Sequence, residues 1–301
     1  MDIDFNDYKL RCELRGHDDD VRGICVCSDE NIATSSRDRT IRVWSLDPSD
    51  KRKYTSSKIL LGHTSFVGPL AWIQPTDDYP EGRLISGSMD TFVFVWNLIN
   101  GENIQTLKGH QMQVRGICVC SDENIATSSR DRTIRVWSLD PSDKRKYTSS
   151  KILLGHTSFV GPLAWIQPTD DYPEGRLVSG SMDTFVFVWN LINGENIQTL
   201  KGHQMQVTGV TLDNEDIVSS SVDQTLKRWR NGQLVESWEA HQSPIQAVIK
   251  LPSGELVSGS SDASLKLWKG KTSLRTLSGH TDTVRGLAVM PDLGFLSASH
   301  D

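Results

Sequence analysis

The stretch GHDDDVRGICVCSDENIATSSRDRTIRVW, Gly16–Trp44, contains a Gly-His pair, two runs of strand-forming residues, an Asp and a Trp. Apolar residues alternate with polar ones near its end, at Ile41 and Val43, as they do in half-buried strands. Asp38 lies among small and polar residues, in a sequence typical of a tight turn. The stretch therefore predicts short strands joined by turns.

The same pattern recurs along the chain. Seven histidines follow one another at intervals of 46, 47, 46, 47, 38 and 39 residues, six of them after Gly and one after Ala240. Each is followed by an Asp after 20 to 27 residues, and six of these Asp residues are followed six residues later by a Trp. The residues are His17, Asp38, Trp44, His63, Asp90, Trp96, His110, Asp131, Trp137, His156, Asp183, Trp189, His203, Asp223, Trp229, His241, Asp262, Trp268, His280 and Asp301.

A repeat of this period and composition is the WD-repeat signature of a β-propeller. We predict an all-β fold, a WD-repeat β-propeller of seven blades with the last one incomplete. The whole chain, residues 1–301, is expected to form a single domain. Its blade units are expected to begin near residues 16, 62, 109, 155, 202, 240 and 279.

The recurring polar residues are predicted to have a structural role. In WD-repeat proteins the His, the Asp, a hydroxyl and the Trp bond to one another within each blade, and this chain has all four types. We expect the hydroxyl among the residues just before each Asp, such as Ser36, Ser88 and Ser260. A buried imidazole, carboxylate and indole N–H are tolerated only when they satisfy one another. These residues are therefore predicted to stabilise the blades and not to catalyse a reaction.

Catalytic and metal-binding motifs are missing from the sequence. Seven of the eight histidines belong to the repeat, and the His–Asp pairs have no consistent activated nucleophile. The sequence has no phosphate-binding loop, dinucleotide fingerprint or HExxH motif. Cys25-Val26-Cys27 and its copy at Cys118 and Cys120 lack the spacing of a zinc site. We predict that the chain is not an enzyme and binds no cofactor or metal.

Composition indicates a protein-interaction module in the cytoplasm and nucleus. The net charge of −6 disfavours nucleic acid as a partner, because a nucleic-acid site needs a basic surface. No apolar run is long enough to span a membrane, and the acidic start, Met1-Asp2-Ile3-Asp4, is unlike a signal peptide. The five cysteines are predicted to be reduced thiols, as is usual in these compartments.

Two blades are present twice. Residues 114–206 repeat residues 21–113, and the two segments of 93 residues differ only at Ile85 and Val178. Such near-identity indicates a recent in-frame duplication of two whole blades, an engineered sequence or an artefact of gene assembly. A propeller tolerates this because each blade packs mainly on its neighbours.

The last repeat is expected to form a closing blade with three strands or a frayed edge. The sequence reaches the seventh Asp at Asp301 without the strand that carries a Trp. Residues Tyr8–Leu14 have the position of an outer strand for this blade. We expect residues 1–6 to make no regular ladder, because Asp2 and Asp4 would place charges at buried positions.

The sequence between the repeat markers resembles a known family. The segments VRGIC at Val21–Cys25, SSRDRTIRVW at Ser35–Trp44, LLGHT at Leu60–Thr64 and SGSMD at Ser86–Asp90 resemble the propeller of the phospholipase A-2-activating protein family, in a plant-like version. The resemblance implies a ubiquitin-binding propeller in a cofactor of the AAA-type segregase valosin-containing protein, working in degradation of ubiquitinated proteins. The family's second ubiquitin-binding domain and its segregase-binding helical repeats are not found in this sequence. The duplicated blades are a further departure from the family.

A partner is expected on the face that carries the Asp turns and the Gly-His loops, here called the top face. Side chains of interface-prone types are predicted there. The predicted ubiquitin or partner site comprises Arg22, Arg37, Phe66, Met89, Arg115, Arg130, Phe159, Met182, Val222 and Arg285, beside Thr208, Gln246 and Ser261. The alternative is a generic WD-repeat scaffold that binds a different protein through the same face.

Overall fold

The computed structural model describes residues 8–28, 30–77, 79–121, 124–291 and 293–301. These residues form an all-β propeller of antiparallel sheets in which each strand pairs with the next along the chain. The expectation for residues 1–6 lies outside the described residues. None of the described residues belongs to a helix that is long and apolar enough to cross a membrane.

Six sheets have four strands each and form complete blades. Blade 1 comprises β1 Val21–Ser28, β2 Asn31–Ser36, β3 Ile41–Leu46 and β4 Tyr54–Leu60; blade 2 comprises β5 Val67–Ile73, β6 Arg83–Ser88, β7 Val93–Trp96 and β8 Asn103–Leu107. Blade 3 comprises β9 Val114–Ser121, β10 Asn124–Ser129, β11 Ile134–Asp140 and β12 Asp143–Leu153; blade 4 comprises β13 Val160–Ile166, β14 Arg176–Ser181, β15 Val186–Asn190 and β16 Asn196–Leu200. Blade 5 comprises β17 Val207–Asp213, β18 Asp216–Ser221, β19 Thr225–Arg230 and β20 Gln233–Glu239; blade 6 comprises β21 Ile245–Lys250, β22 Leu256–Ser260, β23 Leu265–Lys269 and β24 Thr272–Leu277.

The remaining sheet has two strands, β25 Val284–Met290 and β26 Gly294–Ser299. Strand β25 packs against β21 on one side and β1 on the other, so this closing sheet completes the ring of innermost strands. The prediction of seven blades is therefore wrong: the described residues form six four-stranded blades and a two-stranded closing sheet. Of the two forms expected for the last blade, the three-stranded one is not formed by these residues.

The segment predicted as an outer strand explains the difference. Residues 8–14 form no strand and contact the neighbouring sheets through side chains. The rings of Tyr8 and Phe295 lie 5.8 Å apart, and Leu14 packs in a cluster with Trp44 and Met290. Strands pair only when their backbones lie about 4.8 Å apart. Among the described residues, no third strand stands next to β26 to bring the segment into a ladder.

The core lies between the blades and not within them. One cluster combines Ile41 and Leu60 of blade 1 with Leu84 and Trp96 of blade 2, and similar clusters lie at the other blade boundaries. Because each sheet is buried on both faces, the strands β2, β6, β10, β14 and β18 are almost entirely buried. Burial of apolar side chains on both faces of a sheet is the main stabilising term for such an arrangement.

A tight turn joins the second and third strands of each blade and defines the top face. The Asp side chain accepts a hydrogen bond from the backbone N–H two residues later, as in Asp38 to Thr40 at 2.8 Å. The residue between them adopts a positive φ in all six blades, for example 71° at Arg39. Asp side chains favour such turns because they replace a backbone acceptor.

Candidate functional site

The predicted structural network is present in all six blades. The His Nδ1 lies 2.7–3.1 Å from the Asp carboxylate. The His Nε2 lies 2.8 Å from a hydroxyl oxygen, and the Trp indole N–H donates to the same oxygen at 2.8–2.9 Å. In the closing sheet His280 contacts Asp301 and Ser297 in the same way, without a Trp.

The hydroxyl that completes the network is not the predicted one. It belongs to the residue ten positions before each Trp: Thr34, Ser86, Thr127, Ser179, Ser219 and Ser258. The predicted residue Ser36 instead accepts from the backbone N–H of Asp38 and donates to the carbonyl of Asp19. Sequence reasoning missed the true hydroxyl, although its constant distance from the Trp was a usable signal.

In the blades where the hydroxyl belongs to Ser, the network has the same residue types as a Ser–His–Asp catalytic triad, but its hydroxyl is not accessible to a substrate. A carboxylate only accepts hydrogen bonds, so the Nδ1–H of His63 donates to Asp90, while its Nε2 lies 2.8 Å from the Ser86 hydroxyl. Ser86 is fully buried, and its oxygen already accepts the indole N–H of Trp96. A nucleophile must reach the substrate, and this hydroxyl does not. The arrangement holds each blade together.

Burial lowers the pKa of His203 and of His241, although the partner Asp in each blade acts in the opposite direction. Burial alone would raise the pKa of Asp223, but hydrogen bonds from His203 and Thr225 outweigh it and hold this pKa well below its usual range. Both histidines are therefore neutral and both carboxyls ionised in the folded protein near pH 7.

We expect the free energy of unfolding to fall as the pH is lowered through about 6.5, the ordinary pKa of His. Below that pH the unfolded chain binds protons at positions 203 and 241 that the folded chain does not, and this favours unfolding. A second loss is expected below about pH 4, where the Asp residues become protonated in the unfolded chain. Urea denaturation at pH 7.5, 6, 5 and 4 measures both. A free energy of unfolding that stays constant from pH 7.5 to 5 would contradict the His assignment.

The predicted top-face residues gather at the inner edge of that face. The residue before each Asp donates its backbone N–H to the carbonyl just before an innermost strand, as Met89 does to Phe66 and Met182 to Phe159. Arg37, Arg130 and Val222 make the same backbone hydrogen bond, which holds each of them beside the start of an innermost strand. Met89 and Met182 expose 38% and 46% of their surface, which leaves an apolar group available on each copy.

Cation–π contacts link neighbouring blades on this face. The Arg37 guanidinium of blade 1 lies 4.7 Å from the Phe66 ring centroid of blade 2, and Arg130 of blade 3 lies 4.4 Å from Phe159 of blade 4. An arginine over an aromatic ring is held in place while its edge still offers hydrogen-bond donors. The duplication therefore gives two patches of the same composition, each with an Arg, a Phe and a Met.

The remaining predicted arginines lie closer to the channel. Arg22, Arg115 and Arg285 occupy the second position of β1, β9 and β25. Arg285 donates to Gln246 at 2.5 Å and to His300 at 3.0 Å. Sequence reasoning missed two neighbours of this group: His300, and Asp20, which pairs with Arg22 and Arg37. Among the described residues, no group of three or more His, Cys, Asp or Glu side chains is arranged to hold a metal ion.

Comparison with known proteins assigns the fold. The family described as "WD domain, G-beta repeat" matches residues 8–45, 101–138, 194–230, 232–269 and 271–301, which is more than half of the chain. The chain belongs to the WD-repeat family. Proteins built on this repeat are in general non-catalytic scaffolds, which agrees with the buried hydroxyl of each network.

Three relatives illustrate the range of similar proteins. The chain is 36% identical to phospholipase A-2-activating protein of Xenopus laevis over 51% of this chain and 18% of the relative. It is 26% identical to ubiquitin homeostasis protein lub1 of Schizosaccharomyces pombe over 82% of this chain and 38% of the relative. It is 28% identical to a ribosome biogenesis protein WDR12 homolog of Drosophila virilis over 77% of this chain and 57% of the relative.

The resemblance to the phospholipase A-2-activating protein family is confirmed by these matches. The chain spans less than two thirds of the length of each of the three relatives. The names of these relatives point to different processes and therefore do not identify the partner of this chain.

Proposed function

We propose that the top face of this propeller binds ubiquitin or ubiquitinated proteins, in the cytoplasm and nucleus. The observation that carries the proposal is the pair of patches of the same composition, each offering an exposed Met beside an Arg-stacked Phe. Exposed apolar and aromatic groups with an arginine are typical of binding hot spots. The name of one relative, ubiquitin homeostasis protein lub1, supports ubiquitin as the partner, as does the ubiquitin-binding propeller that the resemblance to the phospholipase A-2-activating protein family implies.

The proposed binding mode is non-covalent docking on a rigid face. Blade packing fixes the backbone beneath each patch, so little conformational entropy is lost when a partner binds. Phe66 and Phe159 are half-buried and stacked, while Met89 and Met182 adapt to the shape of an apolar surface.

A second candidate function is a scaffold for a different assembly. The similarity to the WDR12 homolog covers 77% of this chain and supports it. This candidate uses the same face and differs only in the partner. The two are therefore separated by binding measurements and not by the fold.

We expect the parent chain to bind fluorescently labelled ubiquitin, and the double variant Met89→Asp, Met182→Asp to bind it at least about tenfold more weakly. Charges placed in an apolar contact cost roughly 1.4 kcal/mol or more, which corresponds to that factor. Anisotropy titration measures the affinity. Each single variant is expected to lose one of the two sites. The number of ubiquitin molecules bound per chain should therefore fall in the single variants, while the affinity of the remaining site is unchanged.

The matched control is the double variant Ile99→Asp, Ile192→Asp. These residues are also copies of each other and expose 69% and 58% of their surface, but they lie in the loops on the opposite face. We expect this variant to bind ubiquitin like the parent. Absence of binding by the parent rejects ubiquitin as the partner and favours the scaffold candidate. Loss of binding in the Ile variant alone would place the contact on the other face.

A further inference from the structure

Three arginines lie at positions where the strand pairing is irregular. In β1, β9 and β25 the register shifts between the first and third residues, so Arg22, Arg115 and Arg285 have no partner across the ladder. A bulge of this kind redirects the side chain away from the regular pleat. Because these are innermost strands of the ring, and each arginine stands near the top end of its strand, the three arginines lie near the mouth of the central channel.

Two glycines leave room beside the arginines. Gly68 of β5 and Gly161 of β13 occupy the second position of the innermost strands on either side of β9. A Cβ at either position would have no atom nearer than 3.9 Å, so the backbone does not require glycine there. Because glycine has no side chain, neither strand places side-chain atoms beside Arg115 at this position.

The three arginines differ in the number of carboxylates that lie near them. Asp20 pairs with Arg22 at 3.3 Å and with Arg37 at 2.9 Å, and the charges of Asp19 and Asp282 also reach this side of the mouth. Blade 3 has Gln113 where blade 1 has Asp20. Arg115 makes no hydrogen bond or ion pair with any residue that the structure describes. A chain with a net charge of −6 thus has a local excess of positive charge around Arg115 and Arg130.

The arginines are close enough to repel one another. Burial, followed by the charges of Arg130 and Arg22, lowers the pKa of Arg115. Burial, followed by the charges of Arg22 and Arg115, lowers the pKa of Arg285. Like charges held together in a half-buried site attract a counter-ion of opposite charge.

We propose that Arg22, Arg115 and Arg285 form a binding site for a phosphate-type oxyanion at the channel mouth, with Gly68 and Gly161 leaving it room. The planar guanidinium matches the oxygens of a phosphate in a bidentate manner, which an ammonium group does not. The phosphate is either free, as in a polyphosphate, or attached to a side chain of a bound protein segment. This site is independent of ubiquitin binding through the two methionine patches.

Inorganic pyrophosphate is the first probe, titrated calorimetrically at constant ionic strength. We expect saturable binding by the parent and a loss of affinity of at least about tenfold in Arg115→Gln and in Arg285→Gln, because each removes charge-assisted hydrogen bonds. The matched control is Arg132→Gln, an exposed arginine two residues from Arg130. Blade 5 already has Gln224 at the corresponding turn position, with the same positive φ of 70°. This control should bind pyrophosphate like the parent.

A reciprocal exchange between the two blades tests the charge argument without removing an arginine. Asp20→Gln gives blade 1 the residue of blade 3, and Gln113→Asp gives blade 3 the residue of blade 1. Each residue is already accommodated at this position in one blade, so both variants are expected to fold. We expect tighter pyrophosphate binding in Asp20→Gln and weaker binding in Gln113→Asp, each by roughly threefold to tenfold, as for one charge at close range.

The source of the phosphate is distinguished by competition. A short serine-phosphorylated peptide that displaces pyrophosphate supports a phosphate attached to a protein, and pyrophosphate binding without displacement supports a free polyphosphate. Three results overturn the proposal: no saturable binding of pyrophosphate by the parent, equal binding by Arg115→Gln and parent, or displacement of pyrophosphate by the unphosphorylated peptide as strong as that by the phosphorylated one. Pyrophosphate titration of the double variant Met89→Asp, Met182→Asp separates the two proposals, because this variant should lose ubiquitin binding while its three channel arginines still bind pyrophosphate.

Discussion

Replacing Asp223 by Ala is expected to lower the free energy of unfolding by about 3–5 kcal/mol, the usual cost of removing one partner from a buried polar pair. The Asp223 carboxylate is 8% exposed and accepts hydrogen bonds from His203, from the backbone of Gln204, and from the backbone and hydroxyl of Thr225. In the variant these donors lose their acceptor, and the imidazole is left buried with an unpaired N–H. The turn between β18 and β19 also loses the bond that shapes it.

The same substitution at Asp262 is the matched control. Its carboxylate is 28% exposed, lies 3.1 Å from His241 and otherwise accepts from Ser264 alone. Water replaces part of the lost bonding there, so we expect a clearly smaller loss, about 1–2 kcal/mol. Urea denaturation of both variants at pH 7.5 measures the difference. Equal losses at the two positions would show that burial of the pair does not set its contribution.

The network illustrates what the sequence predicts well. Its His, Asp and Trp are far apart along the chain but recur at constant spacing, so their role was predictable residue by residue. The hydroxyl was missed because several Ser and Thr residues lie near each turn, and only its constant distance of ten residues from the Trp distinguishes it in the sequence. Strand pairing decides which hydroxyl faces the Trp: Thr34 on β2 lies diagonally across from Trp44 on β3, whereas Ser36 lies at the turn.

The prediction of the closing blade failed for a related reason. Residues 8–14 have the alternation of a strand, but a strand exists only where another backbone pairs with it. The predicted channel arginines were placed on the expected face, whereas Asp20 was overlooked because its pairing with Arg37 and Arg22 depends on a loop and a bulge. Local sequence predicts which residues are available, and packing decides which of them meet.

The duplicated blades show this most directly, because identical sequences have different neighbours. Tyr147 of blade 3 is 2% exposed and packs against blade 2, whereas its copy Tyr54 in blade 1 is half-buried beside the closing sheet. Arg83 of blade 2 is 1% exposed and lies between the rings of Tyr79 and Tyr147, at 4.1 and 5.0 Å from their centroids. The side chain of Gln105 bonds both backbone groups of residue 147 across the same boundary.

We therefore expect Tyr147→Ala to lower the free energy of unfolding by about 3–5 kcal/mol, the usual cost of truncating a buried aromatic residue. Besides the cavity, the variant removes the ring that covers the buried guanidinium of Arg83. Tyr54→Ala is expected to cost less than half as much, because water already reaches part of that ring. Both variants are measured by urea denaturation under the same conditions.

The pair separates local from inter-blade stabilisation. The seven residues preceding each Tyr and the six following it are identical in the two copies, so strand propensity and side-chain type contribute equally to both variants. Any difference in the free energy of unfolding must come from the neighbouring blade. Equal losses would mean that the outer strands are stabilised within their own sheets, and that the contact between blades 2 and 3 adds little to the stability of the ring.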